Sequence, residues 1–207
     1  MADEGELAVA ALPVVQIGDP VLRRVASPLR KDEIHDPSFN TLVDQMRVTM
    51  YEARGVGLAA PQVGIRKRLC VVEDAESDDE RDERFQKTTL PFTVMCNPSY
   101  VVEGTETAEF FEGCLSAVGL RGLVRRPLRI TATWTDEHAE TRTQRFEGWA
   151  ARIIQHEVDH LDGVLYVDRS PTRSMITDDA YFSTWVDADI DGFKRAFDIG
   201  RETRPLG

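Results

Sequence analysis

The two histidines of His156-Glu157-Val158-Asp159-His160 stand four positions apart. On an α-helix, at about 100° per residue, that spacing turns both imidazoles to one face, one turn from each other. Two such rings can converge on one ion. The intervening Glu157 lies beside the same face, where it can act on a water without being a ligand. Catalytic metal sites usually keep three protein ligands and an open position, and Cys114, in Glu112-Gly113-Cys114-Leu115-Ser116, supplies the third. Its neighbours include a glycine and polar groups that leave a thiolate accessible. An ion so held lowers the pKa of a water, which makes hydrolysis the natural chemistry. The pattern H-E-x-x-H also arises by chance at the polar edge of a buried helix. Against chance stands the fact that two of only four histidines in the chain fall within it.

The elements that must position these groups are legible around them. Trp149, Ala150, Ile153, Ile154, Val158 and Leu161 form a broad apolar arc, which predicts a largely buried helix within 148–163, ended by Gly163. Upstream, Asp36-Pro37 supplies a cap and a first-turn proline, and Phe39, Leu42, Val43, Met46 and Met50 recur at helical spacing. A helix over about 37–53 is expected, stopped by Gly55. The small residues from Gly55 to Gly64 then read as a loop whose backbone can be approached closely. Short β-rich runs follow at 68–72, 92–96, 100–102, 128–134 and 141–146, spaced for antiparallel pairing. The stretch 73–84 is dense in charge and reads as a solvated excursion between strands.

Composition sets the outer limits. With 207 residues, 42% of them hydrophobic, the chain can bury a core of its own. Its formal net charge of -11 disfavours broad attraction to a phosphate backbone, so no nucleic-acid substrate is expected. The first residues lack the pattern of a secretory signal, and no apolar run is long enough to span a membrane. No membrane partner is expected, and the expected location is cytoplasmic. Cys70 and Cys96 sit in strand-like apolar runs and read as small core hydrophobes, which leaves Cys114 as the cysteine with chemistry to do.

Taken together, three separated segments resemble the peptide deformylase family. Gly55-Val56-Gly57-Leu58-Ala59-Ala60-Pro61-Gln62 is similar to its first motif, Glu112-Gly113-Cys114-Leu115-Ser116 to its second and His156-Glu157-Val158-Asp159-His160 to its third. The looser likeness runs from Gly18 to about Asp168. The resemblance implies an α+β fold in which antiparallel β-sheets wrap a central helix carrying both histidines. It implies removal of the formyl group from N-formylmethionine on newly made polypeptides, so formylated nascent peptides are the expected partners. Cys114, His156 and His160 would hold one divalent ion. A thiolate with two imidazoles suits zinc, iron, cobalt or nickel, and the resemblance favours Fe2+, with Zn2+, Ni2+ or Co2+ as other occupants. Glu157 would transfer protons, while the Gln62 amide and the Leu115 N–H would stabilise the oxyanion. Val56, Gly57 and Gly113 would bind the extended peptide, and Trp149 and Ile153 would line the methionine pocket.

The chain departs from the family pattern after Ser116, where Ala117-Val118-Gly119 stands in a stretch that often holds a proline. Residues 1–170 are expected to form the catalytic domain and 171–207 an extension packed on it. That tail lacks the basic helix of some relatives and carries Tyr181, Phe182, Trp185, Phe193 and Phe197 among acids, so any transient ribosome contact is not expected to run through it. Two other classes compete. A zinc endopeptidase would share the histidines but usually takes its third ligand downstream of the helix, and a binder of nascent chains would keep the fold without the chemistry.

Overall fold

Alternation along one strand explains how the core is divided. The computed structural model describes residues 9–74 and 89–200, so most of the expected charged excursion lies outside the described residues. In chain order the strands are β1 (Gly57–Ala59), β2 (Leu69–Asp74), β3 (Leu90–Val102), β4 (Thr107–Glu112), β5 (Leu120–Pro127), β6 (Arg129–Thr135), β7 (Thr141–Glu147) and β8 (Ile176–Thr177). The helices are α1 (Lys31–Ile34), α2 (Pro37–Glu52), α3 (Gly148–Leu161), α4 (Tyr166–Arg169), α5 (Asp178–Ala180) and α6 (Ile190–Ala196). A five-stranded antiparallel sheet has the order β1-β2-β3-β6-β7, and a three-stranded one the order β4-β5-β8.

Successive residues of a strand face opposite sides. In β2, Cys70 and Val72 therefore join Met95, Ile130, Ala132 and the α3 residues Ile153, Ile154 and Leu161. Leu69 and Val71 turn the other way, onto Val94, Cys96 and the α2 residues Phe39, Val43, Met46 and Met50. The large sheet is thus buried on both faces, between α2 and α3. Cys70 and Cys96 are fully buried in these two layers, as their sequence setting suggested, and burial pushes the Cys96 thiol up to about 12. The three-stranded sheet lies on the other side of α3, which makes α3 the central helix and the fold α+β.

The helix boundaries follow from caps. Asp36 accepts from Ser38 N–H at the start of α2, with Pro37 in the first turn. At its end Arg54, not Gly55, takes the left-handed conformation (φ 54°). The N–H of Arg54 bonds Tyr51 O at 3.0 Å and that of Gly55 bonds Met50 O at 2.9 Å, closing a Schellman motif. Gly55 is small for another reason: a Cβ there would stand 2.8 Å from Leu115 Cδ1. Gly163 ends α3 as expected, with φ 74°.

Two strand expectations need correction. The runs 92–96 and 100–102 are one strand, β3, whose register shifts between Cys96 and Ser99. Pro98 has no N–H to give, and Asn97 (φ 53°) instead exchanges two side-chain hydrogen bonds with the backbone of Leu29. The segment 55–64 is not all loop, because Gly57–Ala59 pairs with β2 and Ala60–Val63 forms a 3-10 turn. The sequence patterning also left β4, β5 and β8 unread.

Beyond residue 176 the chain packs its aromatics on the three-stranded sheet. Phe111 of β4 meets Phe193 at 4.7 Å and Tyr181 at 5.2 Å between ring centroids, and Trp185 and Phe197 close on Phe193. No helix among the described residues is long and apolar enough to cross a membrane. Because Phe193 is 1% exposed at the centre of this cluster, Phe193→Ala should destabilise the protein by about 3–5 kcal/mol. Denaturant unfolding checks this, and a loss under about 1 kcal/mol would show that the extension adds nothing to the stability of the body.

Candidate active site

Helix α3 delivers His156, Glu157 and His160, and the turn after β4 delivers Cys114. The ligand-capable atoms of Cys114, His156 and His160 lie within 4.8 Å of one another, and Cys114 Sγ is 3.2 Å from His160 Nε2. One sulfur and two imidazole nitrogens converging in a mostly buried site form a donor set that fits a divalent transition metal or zinc. Burial holds the His160 imidazole well below its usual pKa, in the neutral form that ligates.

The orientation of His156 is fixed from behind. Its Nδ1 lies 2.9 Å from Glu112 Oε2. Burial alone would push the Glu112 carboxyl up, but the Arg126 guanidinium and the neighbouring His156 hold it far below the usual range. An ionised carboxylate only accepts hydrogen bonds, so Nδ1 must carry a proton and Nε2 is the nitrogen left to ligate. Burial opposes the charged ring, but Cys114 and Glu112 beside it raise its pKa well above the usual value, so an ion would have to displace the Nε2 proton.

Glu112 is itself held. Arg126 grips it with two bonds, Nε to Oε1 at 2.7 Å and Nη2 to Oε2 at 2.9 Å, and Arg152 Nη1 adds a third at 2.6 Å. Arg126 also donates to Asp159 on α3 at 2.8 Å, and Arg169 takes both Asp159 oxygens at 2.6 Å. Arg152 completes its fork on the carbonyls of Val124 and Ala108. Two buried arginines and the partly exposed Arg169 thus meet two buried carboxylates, tying α3 to β4 and β5.

Glu157 lines the same cleft as Cys114 and His156. Its Oε2 is buried and has no hydrogen-bond partner among the described residues, and burial raises its pKa to about 7. Gly57 makes room for it, since a Cβ on that residue would come 2.7 Å from Glu157 Cδ. The Gln62 amide is set by the backbone: Ala59 N–H donates to Oε1 at 2.8 Å, which turns Nε2 toward Cys114 Sγ (3.5 Å) and Ser116 Oγ (3.3 Å). A strap from the N-terminal segment braces both sides. Val15 N–H bonds Gln62 O, Ile17 N–H bonds Ser116 O, and the Gln16 side chain donates to Leu115 O at 2.9 Å.

Val56, Gly57, Gln62, Gly113, Cys114, Leu115, Trp149, Ile153, His156 and Glu157 all line one cleft of about 540 Å³. His160 lies behind them, 1% exposed. The structure therefore brings together every residue that the three motifs nominated. The buried charges behind His156 went unread. Glu112 stood inside a quoted motif without a role, and the signal for Arg152 and Asp159 was a charge of each sign on a helix otherwise patterned for burial. Arg121 bonds Asp178 at 2.7 Å along the cleft wall.

Residues 11–175 match the family model described as polypeptide deformylase. The chain belongs to the polypeptide deformylase family. It is a metal-dependent hydrolase that removes the N-formyl group from newly made polypeptides. Peptide deformylase 3 of Streptomyces avermitilis is 46% identical over 175 residues, covering 84% of this chain and 78% of that one. Peptide deformylase 1 of Streptomyces coelicolor is 45% identical over 175 residues, covering 84% and 80%. Among solved structures, the class I type b peptide deformylase of Acinetobacter baumannii with Met-Ala-Ser bound superposes with a TM-score of 0.71 at 37% identity, over 78% of this chain and 99% of that one. The deformylase of Synechococcus elongatus in complex with actinonin gives 0.69 at 40% identity, over 81% and 84%.

The contact between Gly57 and Glu157 yields a test within this family chemistry. Gly57→Ala should leave metal content unchanged while formate release falls on the order of 100-fold, because the added methyl displaces the carboxylate. Metal analysis beside a formate assay checks it, and a variant of near wild-type activity would show that Glu157 needs no such clearance.

Proposed function

We propose that Cys114, His156 and His160 hold a single divalent ion, Fe2+ in the cell with Zn2+, Ni2+ or Co2+ as alternative occupants, and that this centre deformylates N-formylmethionyl peptides in the cytoplasm. The observation that carries the reading is the convergence of one thiol and two imidazoles, within 4.8 Å, beside the cleft where Glu157 stands with an oxygen that has no hydrogen-bond partner among the described residues. The ion, when bound, supplies Lewis-acid polarisation of a carbonyl and acidification of a water.

The remaining work falls to the chain's own groups. Glu157 accepts the proton of the attacking water and returns it to the departing amine, a transfer that the motif and its position beside the ligands support. As the formyl carbon becomes tetrahedral, its oxygen gains charge, and Gln62 Nε2 and the Leu115 N–H donate to it. The Ala59 bond to Gln62 Oε1 fixes which end of the amide faces the site. Strand β1 is the edge of the large sheet, so the backbone at Val56 and Gly57 can receive an extended peptide as an added strand, with Gly113 on the facing side. Trp149 and Ile153, one turn apart on α3, line the recess for the methionine side chain. Residues 1–170 act as the catalytic domain, with 171–207 as an extension upon it.

The test is formate release from formyl-Met-Ala-Ser by protein prepared anaerobically with Fe2+, beside Glu157→Ala at matched metal content. The variant should lose about 10²- to 10⁴-fold in kcat while keeping its metal. Wild-type protein that is folded and metal-loaded yet releases no formate would sink the reading, and cleavage of internal bonds in an unformylated peptide would point instead to an endopeptidase.

A further inference from the structure

Two residues of the outer wall of the cleft lie beyond the family match. That match ends at residue 175, yet Asp178 and Phe182 line the same cleft as Cys114 and Glu157. Their placement is set by backbone pairing. Strand β8 pairs with β5 through Leu120 with Thr177 and Arg121 with Ile176, and Asp178 N–H bonds Gly119 O at 3.0 Å.

Arg121 then links this wall to the reaction centre. Its Nε donates to Asp178 at 2.7 Å, and its Cζ lies 4.8 Å from the ring centroids of both Tyr181 and Phe182. Its guanidinium also lies against Gly113, where a Cβ would meet Cζ at 3.6 Å. The charge of Arg121 is thus paired and flanked by rings, and it holds Phe182 in place without burying it. Phe182 remains 57% exposed, and Val118 and Leu120, which line the same cleft, are 76% and 40% exposed. Three large apolar side chains at the mouth of a binding cleft form a surface that water solvates poorly and an apolar ligand side chain can cover.

We propose that Phe182, with Val118 and Leu120, forms an apolar subsite that selects formylated peptides carrying a bulky apolar side chain within the first few residues after methionine. The inference rests on the deformylase reading above and adds to it a preference made by the C-terminal extension. The occupant follows from continuity: a peptide whose formyl end is at Cys114 and Glu157 must leave the cleft past this wall. The chemistry of the wall chooses among sequences, because Asp178 already neutralises Arg121 and leaves apolar contact as what the rim offers. An acidic side chain beside Phe182 faces Asp178.

The experiment measures kcat and KM for formyl-Met-Ala-Ser and for relatives with Phe, Leu or Asp in turn at the second, third and fourth positions. It uses Fe2+-loaded wild type, Phe182→Ser, and Val101→Ser as a control on an exposed valine outside the cleft. The Phe and Leu peptides should show KM about tenfold below the Asp peptide at one position, with kcat little changed. That ratio should fall toward one in Phe182→Ser and persist in Val101→Ser. Equal ratios in wild type and Phe182→Ser would overturn the subsite while leaving deformylation standing. A preference for Asp that disappears in Arg121→Ala would overturn it in favour of an anion site at Arg121. Absence of formate from every peptide would overturn the hydrolase reading and the subsite with it.

Discussion

The active site depends on an ionised carboxylate in the interior of the protein. Glu112 must stay charged where burial opposes charge, because only a carboxylate that accepts a proton bond from His156 Nδ1 leaves Nε2 directed into the ligand cluster. It stays charged because Arg126 and Arg152 surround it with three short donors. Arg126 in turn is compensated by Asp159, and Asp159 by Arg169. Each charge in the chain needs the next.

Such a network is not the cheapest way to fill a core. Well-packed apolar residues in place of buried ion pairs often leave a protein as stable or more so, whereas removal of one partner costs about 3–5 kcal/mol. Its value here lies in orientation. The network joins α3, which carries both histidines, to β4 and β5, which lead into and out of the Cys114 turn. It thereby fixes the distance between ligands that are more than forty residues apart in sequence. The opposite face of α3 is apolar and packs on the large sheet. One helix therefore serves as hydrophobic centre on one side and charged mount on the other.

This division explains what could be read from sequence. The helix over α3 was legible from its apolar arc, and the histidine pair from its spacing, since both are local periodic signals. Cys114 and Gln62 were legible through their motifs. Strands β4 and β5 were not, because Glu112, Arg126 and Gly122 break the alternation of a half-buried strand while being required by the site or the packing. Arg126 is buried for the sake of Glu112 and Asp159, partners that no local window contains. Likewise β3 read as two strands because the shift at Asn97 and Pro98 is satisfied by Leu29, 68 residues away. Gly55 read as a helix stop, but its smallness answers to Leu115 across the cleft.

The most direct measurement is X-ray absorption at the metal edge of the Fe2+-loaded protein, compared with Glu112→Ala at equal metal content. The account predicts one sulfur and two imidazole nitrogens around the ion in the wild type, and a loss of order at one of the nitrogen ligands, with about 10- to 100-fold weaker metal binding, in the variant. A first shell without sulfur, or a variant whose spectrum and metal affinity match the wild type, would contradict it.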